Sequence, residues 1–225
     1  KFNGKTYHGF KGDTLASALL ANNVHLVGRS FKYHRPRGIM TSGSEEPNAI
    51  VQVNPGTNRT EPNVRATEVE IYEGLEASSQ NCWPSVEFDI GGINNFLSPF
   101  FPAGFYYKTF MWPASFWKKY EFFIRHSAGL GKSPTTTDPD IYDHRNVHCD
   151  VLVVGAGISG ILAAKNAAKN NFKTLLVEEK NELGGSTIYE NNEFNKIDNK
   201  APSEWLKKEI EAVSYTHLRA HETPI

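Results

Sequence analysis

The chain has 225 residues, a formal net charge of −1, 39% hydrophobic residues and 22% charged residues, which is typical of a soluble globular protein with one or two domains. This balance excludes a global electrostatic attraction to nucleic acid or to an anionic membrane, and no apolar run is long enough to span a membrane. The sequence contains two cysteines, Cys82 and Cys149, which are too few for a disulfide framework. Because the sequence also shows no secretory signal pattern, we expect a cytoplasmic protein.

The first 72 residues carry strand and helix signals in turn. Asn3-Gly4 supplies the positive φ angles of a tight turn, so residues 2–10 are predicted to form a hairpin. Gly12-Asp13-Thr14 predicts the start of a helix that ends at Asn22-Asn23. Two further segments alternate like strands, residues 48–54 and residues 66–72. These elements predict a small α+β sheet domain.

A basic loop follows the predicted helix. Residues 29–37 (RSFKYHRPR) hold five basic residues and two aromatic residues in nine positions. A solvated charged loop remains an alternative, whereas the near-neutral net charge argues against a nucleic-acid patch. Pro36 restrains the backbone between Arg35 and Arg37, which lowers the cost of ordering the two cations. We expect Arg35 and Arg37 to contact an internal anion or a cofactor phosphate.

An aromatic belt and a linker occupy the middle of the chain. Residues 96–123 contain 13 aromatic residues in 28 positions, and interrupting prolines and lysines favour core and subunit-interface packing over lipid binding. Residues 114–125 are predicted to form a short helix. Residues 129–150 are rich in Gly, Pro, Thr and Asp, a composition that predicts a linker. His144 and His148 lie in this linker, but no further ligands at suitable spacing accompany them, so we expect no metal site there.

A glycine fingerprint lies in a predicted β-α-β segment. We expect a buried strand at residues 149–154, a helix at 157–170 and a strand at 173–177, and the G-x-G-x-x-G pattern of Gly155, Gly157 and Gly160 lies where the first strand meets the helix. The first glycine permits a tight turn, the second lets backbone N–H groups approach a pyrophosphate, and the third lets helix and strand pack closely. The pattern therefore predicts the first half of a Rossmann domain, which binds NAD or FAD.

The helix start and the second strand complete the predicted dinucleotide site. Ile158 and Ser159 belong to the first helical turn, whose partial positive charge faces the phosphates. Glu178, 23 positions after Gly155, is predicted to accept hydrogen bonds from the ribose hydroxyls and to disfavour a 2′-phosphate, with Glu179 as the alternative. A glycine pair six and seven positions beyond the acid, Gly184-Gly185, resembles the pair that approaches the cofactor in flavoproteins with two dinucleotide-binding domains.

The C-terminal end carries two further features. Residues 202–212 (PSEWLKKEIEA) predict another helix. Residues 213–225 resemble the translation of an adapter used in library sequencing, so we expect the natural sequence to stop near Ala212 and exclude the tail from fold reasoning. A Rossmann half that ends there would leave a sheet edge exposed.

Residues 12–54 carry the most specific family resemblance. This run is similar to the N-terminal region of the α subunits of heterotetrameric sarcosine oxidases. The aromatic belt and the VLVVGAGISG segment resemble the same subunit in the same order, over roughly residues 1–212. The resemblance covers about the first fifth of such a subunit.

The resemblance implies a fold and a set of cofactors. It implies an α+β, β-grasp ferredoxin-like domain at residues 1–76, an aromatic connecting region at 77–148, a partial α/β Rossmann domain at 149–212 and the adapter-like tail at 213–225. The family's Rossmann domain holds NAD, while FMN and FAD are bound elsewhere in the complex and a folate acceptor binds a missing C-terminal domain. Residues 1–81 contain no cysteine, so we expect no [2Fe–2S] cluster and no metal site.

The resemblance also implies a function within a complex. The leading hypothesis is the N-terminal part of an α subunit that takes part in the oxidative demethylation of sarcosine, together with a β subunit and smaller subunits. The first alternative is the corresponding subunit of another amine, opine or dimethylglycine dehydrogenase with FAD in the Rossmann site. The second is a non-catalytic cofactor-binding scaffold. No catalytic constellation is visible, so we expect the chain alone to be inactive.

Overall fold

The computed structural model describes residues 1–100, 110, 112–180, 183–188, 204–205, 208–209 and 216–219. The chain divides into two compact units, Lys1–Ile141 and Tyr142–Ile225. Each unit has a hydrophobic core of its own.

The first unit is organised around a three-stranded antiparallel sheet. In chain order, its helices and strands are α1 (Leu15–Ala21), β1 (Gly28–Arg29), β2 (Pro36–Arg37), β3 (Ile50–Val53), β4 (Glu61–Arg65), β5 (Ala77–Ser79), α2 (Ile93–Phe96) and α3 (Trp117–Ser127). The sheet order is β4-β3-β5, and β1 and β2 form a separate two-stranded hairpin. The core lies between α1 and this sheet, where Leu15, Leu19 and Val51 are buried.

The turn and the first helix follow the sequence prediction. Asn3 and Gly4 both have positive φ angles, and Phe2 bridges Lys5 across the turn. Beyond this turn the hairpin predicted at residues 2–10 is wrong, because residues 6–10 contain no strand. Thr14 caps α1, because its hydroxyl accepts a hydrogen bond from the N–H of Ser17 while the Ser17 side chain accepts one from the N–H of Thr14. Asn22 ends the helix as predicted.

The strand predicted at residues 66–72 is wrong. β3 pairs with β4, at Glu61–Arg65, and with β5, whereas residues 66–72 contain only an isolated bridge at Glu70. Their backbone turns toward the start of α1, since the carbonyls of Ala66 and Val69 accept hydrogen bonds from Ala16 and Leu15. The alternation in this segment therefore reflects packing against a helix end.

The second unit is a β-α-β segment with parallel strands. Its strands and helix are β6 (Val151–Val154), α4 (Ile158–Lys169), β7 (Thr174–Glu178) and β8 (Thr216–Arg219), and the sheet order is β6-β7-β8. β6 pairs with β7 in parallel from Val151↔Thr174 to Val154↔Val177. The predicted strand, helix and strand are thus all present, within two residues of their expected ends.

Two expectations about the second unit need correction. The strand before the fingerprint was expected to be buried, yet Leu152 and Val154 are 57% and 79% exposed, because α4 covers the other face of β6. The tail was excluded from the fold, yet Thr216–Arg219 forms β8 along the open edge of β7. Of the helix predicted at 202–212, the structure describes residues 204–205 and 208–209, which are helical; the remainder lies outside the described residues.

The segment that follows the first sheet differs from the prediction at its boundary. β5 extends the first sheet to Ser79, beyond the expected domain end at residue 76. The helix predicted at 114–125 is present as a 3₁₀ turn at Ala114–Phe116 followed by α3, and residues 130–150 contain no helix or strand. The described residues of the aromatic belt are largely exposed, with Phe96 at 83% and Trp112 at 82%. Packing in a core of this chain therefore does not account for these aromatic side chains. Residues 101–109 of the belt lie outside the described residues.

Candidate dinucleotide site

The glycine turn of the second unit is built where β6 meets α4. Gly155 has a φ of +92°, which L side chains rarely adopt, and its N–H donates to the carbonyl of Val177, 2.8 Å away. A Cβ added at Gly160 would lie 1.9 Å from the carbonyl oxygen of Gly155. Gly160 therefore lets the first turn of the helix pack directly on the turn before it, as the sequence predicts.

The carboxylate of Glu178 is fixed at the end of β7. Glu178 is 8% exposed, and its Oε2 atom accepts a hydrogen bond from the N–H of Ala156 at 2.5 Å. Its Oε1 atom accepts one from the N–H of Lys180 at 3.0 Å. A carboxylate has about four lone-pair positions, so two backbone donors leave it capacity for a ligand hydroxyl. Glu179 is exposed beyond the strand end, which makes Glu178 the better placed of the two acids.

The second glycine pair is close to the fingerprint. Gly184 bridges Gly157 in parallel, and its N–H donates to the carbonyl of Ala156 at 2.7 Å. A Cβ added at Gly185 would lie 3.3 Å from the Cα of Gly157. The pair at 184–185, which the sequence associated with the cofactor only through a resemblance, is thus adjacent to the turn that precedes α4.

The start of α4 has free space beside its N-cap residue. Gly157 is the N-cap residue and provides no side-chain hydrogen bond to the helix, and a Cβ added to it would meet nothing within 4 Å. Ile158 is half-buried and packs against the second core, while Ser159 is exposed. The first-turn N–H groups of such a helix lack intrahelical acceptors and carry a partial positive charge. This end of α4 therefore has the chemistry to hold a diphosphate.

The basic loop of the first unit is an ordered hairpin. β1 and β2 pair Gly28 with Arg37, and two side chains anchor the loop to the segment that follows Asn81. The Arg29 guanidinium donates to the carbonyls of Val86 at 2.8 Å and Glu87 at 3.1 Å. His34 Nδ1 and Asp89 Oδ2 are 2.6 Å apart, and both side chains are buried. These two basic residues are therefore structural.

The two arginines predicted as phosphate contacts are on the outer side of this hairpin. Arg35 is exposed, its Nε donates to Asn95 Oδ1 at 2.9 Å, and its guanidinium carbon is 4.7 Å from the centre of the Tyr33 ring. Arg37 is also exposed. Arg35 is thus positioned by a neutral amide and an aromatic ring, an arrangement that keeps the positive charge available for an anion. Both residues belong to the first unit, whereas the glycine fingerprint belongs to the second.

Comparisons with known protein families match both units. Residues 1–82 match a family model described as a 2Fe-2S iron-sulfur cluster binding domain, and residues 150–207 match one described as an FAD dependent oxidoreductase. Residues 1–82 are thus similar to ferredoxin-like domains, and residues 150–207 are similar to FAD-dependent oxidoreductases. The NAD expectation gains no support from these matches, which favour FAD.

The chain is homologous to sarcosine oxidase α subunits over most of its length. It is 56% identical over 207 residues to the sarcosine oxidase subunit alpha of Rhizobium meliloti (strain 1021), covering 92% of this chain and 21% of that protein. It is 35% identical to the corresponding subunit of Corynebacterium sp. (strain P-1), covering 81% of this chain and 14% of the relative. The resemblance predicted from the sequence is confirmed. The chain spans about a fifth or less of the length of these relatives.

A solved structure supports the fold. The crystal structure of L-proline dehydrogenase from P. horikoshii matches 97% of this chain and 32% of that chain, with a TM-score of 0.52 and 17% sequence identity. In the part of the chain that the structure describes, no helix is both long enough and apolar enough to cross a membrane.

The residues fit one of the two cofactors that the family models suggest. The open helix start, the free space at Gly157 and the held carboxylate of Glu178 fit an adenine dinucleotide. The first unit does not fit an iron–sulfur cluster, because residues 1–82 contain a single cysteine, Cys82, and burial raises the pKa of its thiol. Four thiolates hold such a cluster.

Sequence reasoning missed two features of these sites. The first is Ala156, which was not predicted as a site residue although its N–H donates to the Glu178 carboxylate. The position of Ala156 between two glycines of the fingerprint could have indicated it. Sequence reasoning also assigned His34 to the basic loop without recognising the partner Asp89, which lies 55 positions away and which no spacing rule relates to it.

Proposed function

We propose that the chain is the N-terminal part of an α-type subunit in an oxidoreductase complex that oxidatively demethylates sarcosine, and that its second unit binds FAD. The observation that carries the proposal is the Glu178 carboxylate held beside an open glycine turn and helix start. The match of residues 150–207 to FAD dependent oxidoreductases and the 56% identity to a sarcosine oxidase α subunit support it. A Rossmann topology is part of this proposal.

Each site residue has a defined task in the proposed complex. The first-turn N–H groups of α4, at Ile158, Ser159 and Gly160, donate to the pyrophosphate, and the space at Gly157 lets it approach. Glu178 accepts a hydrogen bond from a ribose hydroxyl while the N–H of Ala156 keeps its carboxylate in place. Bound FAD would supply the capacity to accept a hydride from the carbon next to an amine nitrogen.

FAD is proposed ahead of NAD because the matched family model describes FAD-dependent enzymes. Both cofactors contain an adenosine diphosphate, so the fingerprint residues would serve either one. Arg35 and Arg37, which belong to the first unit, are proposed as contacts to an anion, and other subunits are proposed as partners. Two free cysteines favour a reducing, cytoplasmic location.

The test is to identify the dinucleotide bound to this polypeptide. The protein is purified together with its partner subunits, this polypeptide is then separated, and its extracted nucleotides are identified by mass spectrometry. We expect FAD, and we expect Glu178→Gln to lower its occupancy while the matched variant Glu179→Gln retains it. NAD as the sole dinucleotide would contradict the FAD assignment, and the absence of any dinucleotide would contradict the site.

The activity proposal has a separate test. We expect the assembled complex to produce peroxide from sarcosine and the isolated 225-residue chain to produce none. If the complex oxidises another amine, an opine or dimethylglycine but not sarcosine, the alternative dehydrogenase function replaces the proposed one.

A further inference from the structure

A buried carboxylate organises the loop between β2 and β3. Glu46 is 1% exposed, and its two carboxylate oxygens accept hydrogen bonds from four backbone N–H groups. Met40 and Thr41 donate to Oε2 at 2.8 and 2.7 Å, and Asn48 and Ala49 donate to Oε1 at 2.8 and 3.1 Å. The Thr41 hydroxyl donates to Oε2 as well. The loop therefore encloses an anion with its own backbone.

The charge of Glu46 is balanced by backbone dipoles. Among the described residues, no ion pair involves the Glu46 carboxylate. The contact that Arg65 makes with Glu46 is to the main-chain carbonyl, to which Arg65 Nε donates at 3.2 Å. Burial raises the pKa of Glu46, but the four backbone N–H donors lower it by more, so its pKa lies below the ordinary value. Converging backbone N–H groups form a concavity that is suited to an anion.

The spacing of the residues around this carboxylate matches a cluster-binding pattern. Plant-type ferredoxins hold a [2Fe–2S] cluster with the pattern C-x4-C-x2-C followed by a fourth cysteine. Thr41, Glu46 and Ala49 have that spacing and meet at the Glu46 carboxylate. Thr67 approaches the same loop from beyond β4, because its buried hydroxyl donates to the carbonyl of Gly43 at 2.7 Å.

We propose that the Glu46 carboxylate is an internal anion that takes the place of an iron–sulfur cluster, and that Thr41, Glu46, Ala49 and Thr67 mark the four ligand positions. The proposal joins two facts that otherwise disagree: residues 1–82 match a cluster-binding domain, and they contain one cysteine. A thiolate-bound cluster is itself an anion that accepts hydrogen bonds at its sulfur atoms. The N–H groups that would serve a cluster here serve the carboxylate, and the loop keeps its fold without metal.

The direct test restores four cysteines at these positions. The variant is Thr41→Cys, Glu46→Cys, Ala49→Cys and Thr67→Cys in the full chain. The matched control places the second cysteine one position earlier, at Glu45, which is exposed. After anaerobic incubation with iron and sulfide, iron, acid-labile sulfide, visible spectra and EPR spectra are recorded. We expect a [2Fe–2S] cluster in the first variant and none in the control or in the wild type. Equal iron and sulfide in the variant and its control would overturn the proposal.

A second measurement applies if the four-cysteine variant fails to fold with and without iron. Glu46→Gln and its matched control Glu45→Gln are compared by amide hydrogen exchange in the full chain. We expect Glu46→Gln to accelerate exchange at Met40, Thr41, Asn48 and Ala49 by roughly tenfold or more, because hydrogen bonds to a charged acceptor are stronger than those to a neutral one. Exchange at these amides that is as slow as in the control would overturn the proposal.

Discussion

Among the described residues, two buried glutamates, Glu46 and Glu178, are held by backbone N–H groups, and they differ in how many of their hydrogen-bond positions are occupied. Glu46 accepts four backbone N–H groups and a hydroxyl, whereas Glu178 accepts two backbone N–H groups. The first carboxylate has no remaining capacity and ties a loop together. The second has lone pairs left and is beside a helix start that lacks a side-chain cap. The number of internal donors therefore separates a structural carboxylate from one suited to a ligand.

The largest effect is expected at the saturated carboxylate. Glu46→Ala would remove the acceptor of four backbone N–H groups, of which that of Ala49 is buried and the other three are partly buried. We expect it to lower the free energy of unfolding by about 4 kcal/mol, since each unmet buried donor costs about 1–3 kcal/mol and water would satisfy part of the loss. Urea denaturation of the chain measures this. Glu45→Ala, at an exposed neighbour, should stay within about 0.5 kcal/mol of the wild type. Equal stabilities for the two variants would refute the structural role of Glu46.

The next largest effect on stability is expected at Gly160, where α4 packs on the turn beside Glu178. Gly160→Ala would place a Cβ against the Gly155 carbonyl, so we expect a loss of about 3 kcal/mol, at the upper end of the usual cost of overpacking. Gly157→Ala projects into open space and should change stability by only about 0.5 kcal/mol while weakening dinucleotide binding. If both variants are equally stable, the close packing of α4 on the turn is not what Gly160 provides.

The smallest stability effect is the pH dependence that Glu46 contributes. Its pKa in the folded chain is below the ordinary value of 4.5, so its contribution is complete above about pH 4.5 and is lost as the pH falls through the folded pKa. The stability difference between the wild type and Glu46→Gln should therefore shrink on acidification below about pH 4.5. Unfolding curves measured from pH 3 to pH 7 in steps of about one unit check this. A difference that stays constant over the range would show that Glu46 is not ionised in the fold.

Local signals in the sequence predicted the elements whose determinants lie close together in the chain. The Asn3-Gly4 turn, the Thr14 cap of α1 and the β-α-β segment each depend on a few consecutive residues, and all three are present. β4 was missed because it contains Pro62, which is tolerated there since β4 is an edge strand of the sheet.

The parts that could not be predicted depend either on distant contacts or on main-chain contacts that no side-chain pattern marks. The alternation at residues 66–72 arises because this segment packs beside α1, about 50 positions earlier in the chain. The Glu46 loop looked like an ordinary polar loop, because its defining contacts are made to main-chain N–H groups and carry no side-chain signature. The Glu178 position was predictable, since an acid at the end of the second strand is a known part of the fingerprint.

The most direct test of the ligand role of Glu178 is a titration with ADP-ribose and its 2′-phosphorylated counterpart. Isothermal titration calorimetry of the wild type, Glu178→Gln and Glu179→Gln gives three pairs of affinities. We predict that the wild type and Glu179→Gln bind the unphosphorylated ligand at least about tenfold more tightly, because a 2′-phosphate would meet the buried Glu178 carboxylate. Glu178→Gln should lose most of this preference. Equal binding of the two ligands by the wild type, or an unchanged preference in Glu178→Gln, would contradict the account.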